Sequence, residues 1–384
     1  MKIGVVGKPN VGKSTFFKAT TLANVQIANY PFTTINPNIG MGYVRTDCAC
    51  KELDVKCNPR NSVCINQQRF VPVELIDVAG LVPDAHLGKG LGNQFLDDLR
   101  NADVLIHVID ISGTTNDKGE ETENYDPEND IKFLETEINL WFYDIIKRNW
   151  NKISGKVKYE GSDLLKGIVS AVSGLSISEH DVKSALGDMT LKNDDELKEF
   201  VFKLREISKK ILLFGNKIDK DKDKNFERLS EKYDIIPGFA DGELALHLAT
   251  KSGIIDYLPG DNDFKILKNL NSCQEKAINF IRDNLQKHGR TGVQSAINKC
   301  IFEILHYIVV YPVEDENKFS DSKGNVLPDA RIVRNDSTPV DLAYMVHTDI
   351  GKNFITAVNC KTKRNIGKNY VLKNNDVIKI VANK

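Results

Sequence analysis

The sequence predicts an α/β protein with a doubly wound parallel sheet, followed by a small α+β domain. The first observation is a set of short, almost wholly apolar runs, which suit strands covered on both faces of a parallel sheet. These runs are 3–6, 71–76, 104–109 and 211–214. The second observation is that helical patterns separate the runs, as βαβ crossovers require. The third is a change after residue 308 to short β-rich segments punctuated by Asn, Gly, Pro and Asp, which is typical of a compact α+β domain.

Composition excludes several classes of protein. The 384 residues are 41% hydrophobic and 27% charged, an ordinary globular composition for two or three domains. The 52 basic and 53 acidic residues nearly cancel, so the whole-chain charge indicates neither nucleic acid nor membrane. No apolar run reaches the roughly 18 residues of a membrane span, and we expect no signal peptide before the first strand. Seven cysteines do not indicate a disulfide scaffold, so a cytoplasmic location is expected.

A phosphate-binding loop follows the first predicted strand. Residues 7–14 read G-x-x-x-x-G-K-S between a strand and a helix, the context that a Walker A motif needs. Main-chain N–H groups of such a loop surround a β-phosphate at the helix N-terminus. Lys13 is expected to bridge the β- and γ-phosphates, and the Ser14 hydroxyl to bind Mg²⁺. The predicted nucleotide-binding residues of this segment are Gly7, Lys8, Pro9, Asn10, Val11, Gly12, Lys13, Ser14 and Thr15.

Two further motifs follow the second and fourth apolar runs. Asp77 and Gly80 form D-x-x-G, in which a carboxylate can reach Mg²⁺ through water and a glycine N–H can face the γ-phosphate. Asn216, Lys217 and Asp219 form N-K-x-D. An aspartate at that position accepts the paired N–H donors of guanine, which adenine lacks. Because three motifs in this order end strands of one parallel sheet, they converge on one crevice, and the sequence predicts a guanine-nucleotide site.

About a hundred residues separate the third and fourth runs, far more than one crossover requires. Apolar residues at helical spacing occur over 131–146 and again over 197–207, so we expect two helices that form an inserted arm. The stretch 112–130 opens this region with seven acids and one lysine, and we expect a solvated loop rather than a ligand site. Later helices are expected at 274–286 and 296–308, and later strands at 308–311, 341–343, 354–358 and 377–381.

With these motifs in place, the chain resembles the Obg superfamily of translation-factor-class GTPases, closest to its YchF-related branch in archaeal form. The supporting stretches are 29–34, 77–82, 88–95, 311–315 and 341–349. The resemblance implies a Ras-like P-loop GTPase domain, a helical insertion and a C-terminal β-grasp module, the TGS domain. We expect the GTPase domain at 1–140 and 211–258, the insertion at 141–210, connecting helices at 259–306 and the TGS domain at 307–384.

The resemblance also implies roles in the switch segments. Thr34, with Thr33 as the alternative, is expected to close on Mg²⁺ and the γ-phosphate. Leu81 stands where Ras-type enzymes carry a water-orienting glutamine, so intrinsic hydrolysis should be slow. Asn10 resembles the asparagine that helps bind K⁺ in potassium-activated relatives, and a loop-stabilising role is the alternative. The predicted catalytic residues are Lys13, Thr34, Gly80 and Asn10, and the predicted Mg²⁺ ligands are Ser14, Thr34 and Asp77.

The base preference has two alternatives. YchF-type relatives that bind ATP carry N-x-x-E, whereas this chain keeps Lys217 and Asp219, which favours GTP. The second base loop, usually Ser-Ala, is Phe239-Ala240 here. Ala240 can donate its N–H to the guanine carbonyl, and Phe239 either fills the core or stacks on the base. An ATPase therefore stays an alternative to a GTPase.

Four of the seven cysteines form C-x-C-x₆-C-x₆-C between the two switches: Cys48, Cys50, Cys57 and Cys64. Thiolates at such short separations can bind Zn²⁺, but this is not the paired C-x₂-C form. A zinc site, reduced free thiols and redox sensing are the three alternatives.

The last 24 residues carry seven basic side chains and one acid: Lys361, Lys363, Arg364, Lys368, Lys373, Lys379 and Lys384 against Asp376. That excess can bind RNA phosphates, or it can protect an edge strand from aggregation. The resemblance favours the ribosome or structured RNA as partner, in addition to GTP and GDP, with no membrane partner and no oligomeric state assigned. We therefore expect a ribosome-associated GTPase switch, and the third alternative is an RNA-binding adaptor with a structural nucleotide.

Overall fold

The computed structural model describes residues 1–21, 38–78, 98–160, 163–175 and 177–383, with 156–160 described by backbone alone. These residues form two compact units. The first comprises the described parts of Met1–Ala19, Asn38–Gly40 and Glu74–Val293. The second comprises the described parts of Thr20–Pro37, Met41–Val73 and Gln294–Lys384.

A seven-stranded sheet carries the three nucleotide-site motifs. Its strands are β1 (Lys2–Val6), β2 (Ile39–Asp47), β3 (Val63–Ile65), β4 (Gln68–Asp77), β5 (Val104–Asp110), β6 (Ile211–Asn216) and β7 (Ile235–Pro237). The order is β2-β4-β1-β5-β6-β7, with β3 paired to β4, and β1 runs parallel to both β4 and β5. Every residue of β5 is buried, and each buried Val, Leu or Ile side chain contributes about 1.5–3 kcal/mol. The predicted parallel arrangement is confirmed for β4, β1, β5, β6 and β7, whereas β3 pairs antiparallel with β4.

Helices follow the strands, as the apolar spacing predicts. Before residue 299, the helices whose whole range is described are α1 (Lys13–Thr21), α2 (Ala49–Leu53), α3 (Glu128–Glu160), α4 (Leu164–Val172), α5 (Glu179–Leu186), α6 (Asp194–Ser208), α7 (Asn225–Ser230), α8 (Ala240–Lys251), α9 (Ser272–His288) and α10 (Val293–Asn298). The insertion contains α4 and α5 in addition to the two predicted helices. A common core joins them, with Phe142, Ile168 and Phe200 fully buried. A short two-stranded hairpin, β8 (Ile255–Asp256) with β9 (Lys265–Ile266), precedes α9.

The second unit holds a five-stranded mixed sheet. Its strands are β10 (Tyr307–Val313), β11 (Arg331–Arg334), β12 (Phe354–Asn359), β13 (Arg364–Ile366) and β14 (Val377–Ala382), in the order β11-β10-β14-β12-β13. The helices α11 (Pro339–Val346) and α12 (Thr348–Lys352) complete this α+β arrangement. Leu342 of α11 and Val310 of β10 share one buried cluster, which is the core of the sheet-and-helix module.

Two sequence-based expectations in this unit are wrong. The strand expected at 341–343 is part of α11, because Thr338 and Asp341 form a capping box and Pro339 occupies the first turn. The helix expected at 296–308 ends sooner: α10 is followed by a π-helical turn over Lys299–Ile304, and β10 begins at Tyr307. The strand expected at 308–311 is confirmed within β10, which pairs with β11 and β14 and so limits the helix before it.

Candidate nucleotide-binding site

The phosphate loop connects β1 to α1 and depends on two glycines. A Cβ on Gly7 would lie 2.6 Å from the carbonyl oxygen of Val108, too close for any side chain. Gly12 has φ +92°, and a Cβ there would collide with the Asn216 side chain. The loop therefore takes a conformation that only glycine permits at both ends. Of the predicted loop residues, Gly7, Lys8 and Val11 are buried, Gly12, Lys13 and Thr15 are half-buried, and Pro9, Asn10 and Ser14 are exposed.

Lys13 and Asp77 meet at the carboxyl edge of the sheet. Lys13 begins α1, and Asp77 ends β4 in register with Val5 of β1. The Lys13 ammonium forms an ion pair with the Asp77 carboxylate and donates a 2.6 Å hydrogen bond to the Val78 carbonyl oxygen. An ammonium suited to phosphate thus lies beside a carboxylate suited to Mg²⁺, and the exposed Ser14 is the next residue of the helix.

Asn216 joins the phosphate loop to the second base loop. It ends β6, and its side chain is buried. Its Nδ2 donates to the Val11 carbonyl oxygen at 2.8 Å, and its Oδ1 accepts from the Ala240 N–H at 3.1 Å. The Gly238 N–H also donates to the Gly215 carbonyl oxygen at 2.8 Å. The side-chain amide of Asn216 therefore holds two of the strand-end loops together, as their predicted convergence requires.

Lys217 lies against a buried carboxylate that the motif analysis missed. Its Nζ is 2.8 Å from Oδ2 of Asp110, at the end of β5, and its own φ is +64°. Burial disfavours charge on Asp110, but hydrogen bonds from Lys217, Ser112 and Thr115 outweigh it and lower the pKa of Asp110. The signal in the sequence is an aspartate at the end of an almost wholly apolar strand. Asp110 positions the lysine of the base motif.

Asp219 has the character required for base recognition. It lies in a 3₁₀ turn over Ile218–Lys220, held by a 3.0 Å hydrogen bond from the Ile218 N–H to the Gly238 carbonyl oxygen. The side chain is half-buried, and burial raises the pKa of Asp219 above its ordinary value. Hydrogen bonds from two N–H donors stabilise a partly buried carboxylate more than they stabilise a carboxylate in water.

The acidic stretch 112–130 contacts the phosphate loop, so the expectation of a solvated loop is only partly right: most of its acids are exposed, but Glu128 and Asp130 are buried. The Lys8 ammonium is 2.8 Å from an Asp130 carboxylate oxygen, and both side chains are buried. Lys8 also donates to the Thr115 carbonyl oxygen at 2.8 Å. Burial lowers the pKa of Lys8 and raises the pKa of Asp130, and their ion pair offsets part of that cost. The side chain of Lys8 is therefore directed into the protein, and only its main chain is left for phosphate.

Asn10 also contacts this acidic stretch. Its Nδ2 donates to the Gly119 carbonyl oxygen at 2.9 Å, and a Cβ on Gly119 would lie 2.6 Å from the carbonyl oxygen of Pro9. Asn10 has φ +63°, a left-handed conformation that asparagine tolerates. This contact matches the loop-stabilising alternative for Asn10.

Phe239 takes the core-filling alternative. Its side chain is buried and meets the ring of Phe280 edge-on, with the centroids 5.9 Å apart. Its N–H donates to the Thr291 carbonyl oxygen at 2.8 Å. Ala240, expected to donate to guanine, instead donates its N–H to Asn216 in this structure. Stacking of the Phe239 ring on a base has no support.

The predicted switch residues Thr33, Thr34, Gly80 and Leu81 lie outside the described residues.

The four clustered cysteines lie in the second unit, and their sulfur atoms are all within 4.8 Å of one another. Hydrogen bonds from Cys57 and Cys64, together with the Arg69 charge, lower the pKa of the Cys48 thiol.

Among the described helices, none combines the length and apolar character that crossing a bilayer requires.

Three family models match the chain. One described as a 50S ribosome-binding GTPase matches residues 2–139. One described as the G4 motif-containing domain of Obg-like GTPases, YGR210-like, matches residues 214–315. A TGS domain model matches residues 323–382. The first and second matches contain the phosphate and base motifs, respectively.

Similar proteins cover the whole length. A GTP-binding protein of Methanocaldococcus jannaschii is 52% identical over 390 residues, which cover 99% of this chain and 98% of the relative. A ribosome-binding ATPase YchF of Buchnera aphidicola is 26% identical over 407 residues, covering 100% and 99%. The crystal structure of a GTP-binding protein from Pyrococcus horikoshii superposes with a TM-score of 0.80 at 39% identity and covers 100% of both chains.

Proposed function

We propose that this chain, which belongs to the YchF-like branch of the Obg family of GTPases, hydrolyses GTP to GDP and phosphate as a ribosome-associated switch. The observation that carries the guanine assignment is the N-K-x-D segment at the end of β6. Asn216 holds two loops together there, and Asp219 presents a half-buried carboxylate next to them. Nucleotide binding of the GTPase type is the property of the family, and hydrolysis, base preference and partner are the proposal.

The described residues fit a Mg²⁺-nucleotide. Ser14 and Asp77 supply the oxygen ligands that Mg²⁺ prefers, and Lys13 supplies a cation for the phosphates. Bound Mg²⁺ would neutralise charge that develops on the phosphate oxygens. Main-chain N–H groups of residues 7–14 would orient the β-phosphate at the start of α1. In this proposal Thr34 closes on the γ-phosphate and the Gly80 N–H faces it. Leu81 replaces the water-orienting glutamine, so intrinsic turnover should be slow.

The test is a comparison of GTP and ATP for affinity and steady-state turnover, in potassium and sodium buffers. Asp219→Asn should weaken GTP binding by about 100-fold or more, because a carboxylate that accepts two N–H donors is lost. The same variant should gain affinity for xanthosine triphosphate, whose acceptor at C2 suits an amide donor. Asp223→Asn, an exposed aspartate in the same loop, is the matched control and should behave as wild type. GTP affinity unchanged in Asp219→Asn would contradict the guanine assignment.

An ATPase is the second candidate, because the relative from Buchnera aphidicola is named a ribosome-binding ATPase. The same titrations separate the two. Tighter binding and faster turnover of ATP than GTP in the wild-type protein would favour the ATPase. Retention of lysine and aspartate at Lys217 and Asp219 favours GTP.

The proposed partner is the ribosome or structured RNA, with a cytoplasmic location as part of the same proposal. It is supported by the name of the YchF relative, a ribosome-binding ATPase, and by the basic C-terminal residues. Part of the basic excess is paired within the second unit: Lys379 lies 3.0 Å from Glu316, and Lys361 forms an ion pair with Glu52. Arg364 and Lys368 are exposed, and they are the side chains we expect to meet phosphate.

Sedimentation with ribosomes tests this partner. Binding should be stronger with a non-hydrolysable GTP analogue than with GDP, and Arg364→Glu with Lys368→Glu should weaken it and lower its salt dependence. Lys198→Glu, on a helix of the first unit, is the control and should leave binding unchanged. Equal binding of wild-type protein with the analogue, with GDP and without nucleotide would favour the RNA-binding adaptor. No binding in any nucleotide state would contradict both the switch and the adaptor.

A further inference from the structure

Four thiols from one short stretch of the chain meet at one point in the second unit. Cys48 precedes α2 as its N-cap, Cys50 lies within α2, Cys57 lies in the following loop and Cys64 belongs to β3. The Sγ atoms of Cys48 and Cys57 are 3.9 Å apart, and those of Cys50 and Cys64 are 3.8 Å apart. Every other pair of these sulfur atoms is within 4.8 Å. The arrangement is thus a compact group of four sulfurs.

The distances between the sulfur atoms match those of a tetrahedral metal site. With Zn–S bonds of about 2.3 Å, the edge of a tetrahedral tetrathiolate is about 3.8 Å. A disulfide would bring two sulfurs to about 2.05 Å and would give no reason for two pairs to converge. We infer that Cys48, Cys50, Cys57 and Cys64 form a structural site for one Zn²⁺. Four protein thiolates complete the tetrahedron, so the site is structural rather than catalytic.

The backbone places the four sulfurs by two turns. The Cys48 N–H donates to the Gln67 carbonyl oxygen at 2.8 Å, which fixes the start of α2 against the β3–β4 hairpin. That hairpin turns at Asn66 and Gln67, with φ values of +50° and +62°, as a type I′ turn requires. Asp54, with φ +51°, ends α2, and the Val55 N–H donates to the Cys50 carbonyl oxygen at 3.1 Å. The sulfurs converge because the backbone on both sides of the cluster is hydrogen-bonded.

A buried arginine supplies an independent observation. Arg69 is fully buried, and one of its terminal nitrogens lies 3.7 Å from Sγ of Cys57 and 4.0 Å from Sγ of Cys48. No carboxylate among the described residues pairs with it; its other terminal nitrogen donates to the Leu327 carbonyl oxygen at 2.6 Å. A buried guanidinium needs an anionic partner. Zn²⁺ with four thiolates carries a net charge of −2, so the site supplies that partner and Arg69 neutralises half of its charge.

The metal would fix an otherwise irregular segment. Between Cys57 and Cys64 the chain forms no helix and meets 325–330 of the C-terminal residues in the same unit. The Asn58 N–H donates to the Val326 carbonyl oxygen at 3.0 Å, and the Arg60 N–H donates to the Pro328 carbonyl oxygen at 2.7 Å. Two cysteines flank these contacts, so their ligation to one ion would hold both ends of the segment against residues 325–330.

Metal analysis tests the proposal. Untagged full-length protein, purified without a metal-affinity step, should contain about one Zn²⁺ per chain. Cys57→Ser and Cys64→Ser, two half-buried positions, should lose that zinc. Cys273→Ser removes an exposed thiol outside the cluster and is the matched control, which should keep the metal. Protein that contains iron instead of zinc, or a disulfide between any two of the four cysteines, would overturn the assignment.

A second measurement uses only the wild-type chain, so it remains decisive if the serine variants do not fold. Zinc is removed with a chelator under reducing conditions, and Co²⁺ is added back. The expected result is the intense visible absorption of tetrahedral cobalt together with sulfur-to-cobalt charge transfer, saturating at about one equivalent. Zn²⁺ should abolish both signals. A folded protein that gives neither signal with Co²⁺ would contradict the site.

Discussion

The nucleotide site and the cysteine site are built in different ways. The nucleotide site combines the phosphate loop that follows β1 with residues at the ends of β4 and β6, strands that lie far apart in the sequence. Its polar groups already hold one another, as in the contacts of Asn216 with Val11 and Ala240. The cysteine site takes all four sulfurs from one short stretch and leaves the Arg69 charge without a carboxylate partner among the described residues. A site of the first kind is preorganised by the protein, whereas one of the second kind is completed by its ion.

The largest expected effect is the loss of stability when the buried Lys8–Asp130 ion pair beside the nucleotide site is broken. Lys8→Met or Asp130→Leu leaves one charged group buried without its partner, which should lower the free energy of unfolding by about 3–5 kcal/mol. Lys8→Met with Asp130→Leu should cost much less than the sum of the single changes. Denaturant titration measures these values. Lys132→Met, which removes an exposed lysine, is the control and should change little. Additive losses in the double variant would show that the two groups do not interact.

A smaller loss is expected when Asn216 is replaced. Asn216→Ala removes the hydrogen bonds to the Val11 carbonyl and from the Ala240 N–H, at about 0.5–1.5 kcal/mol for each bond. GTP affinity should fall along with stability, because two loops of the site are released together. Zinc content measured on the same samples should not change, since no ligand of that site lies in the first unit. Asn149→Ala, at an exposed asparagine of α3, is the control, and equal affinities in the two variants would contradict the bridging role.

The smallest effect is a pH dependence of nucleotide binding. Burial raises the pKa of Asp219, and guanine requires its charged form. GTP affinity should therefore be complete above this raised pKa and should fall as the pH drops through it, beginning above the ordinary aspartate value of 3.8. The dissociation constant of GTP, measured over the acidic range, gives the curve. Asp219→Asn has no such group and serves as the reference for titration of GTP itself. Parallel curves for the two proteins would exclude Asp219 as the titrating residue.

Some features were predictable because their physical requirement is local. The four apolar runs could only be covered strands, and Gly7, Gly12 and Lys13 stand where a phosphate loop needs them. Most acids of the stretch 112–130 are exposed, as its charge density predicts, but Asp130 is buried. Here a single lysine, Lys8, provides a buried partner for Asp130, and this contact depends on residues more than a hundred positions apart. The helix at 339–346 was missed because its cap, Thr338 with Asp341, was not recognised as a capping box.

The sequence by itself determined the parallel sheet, the two long helices of the insertion and the three nucleotide motifs, because each of these is set by residue types at short fixed spacings. The TGS domain was implied by the resemblance to the Obg family, and a TGS domain model matches residues 323–382. Only the tertiary structure decided between alternatives that depend on distant neighbours. It placed Phe239 in the core against Phe280. It also brought four sulfurs to the separations expected in a tetrahedral metal site, beside the buried Arg69. The physical reason is that packing and desolvation depend on what surrounds a side chain, and a linear pattern does not contain those surroundings.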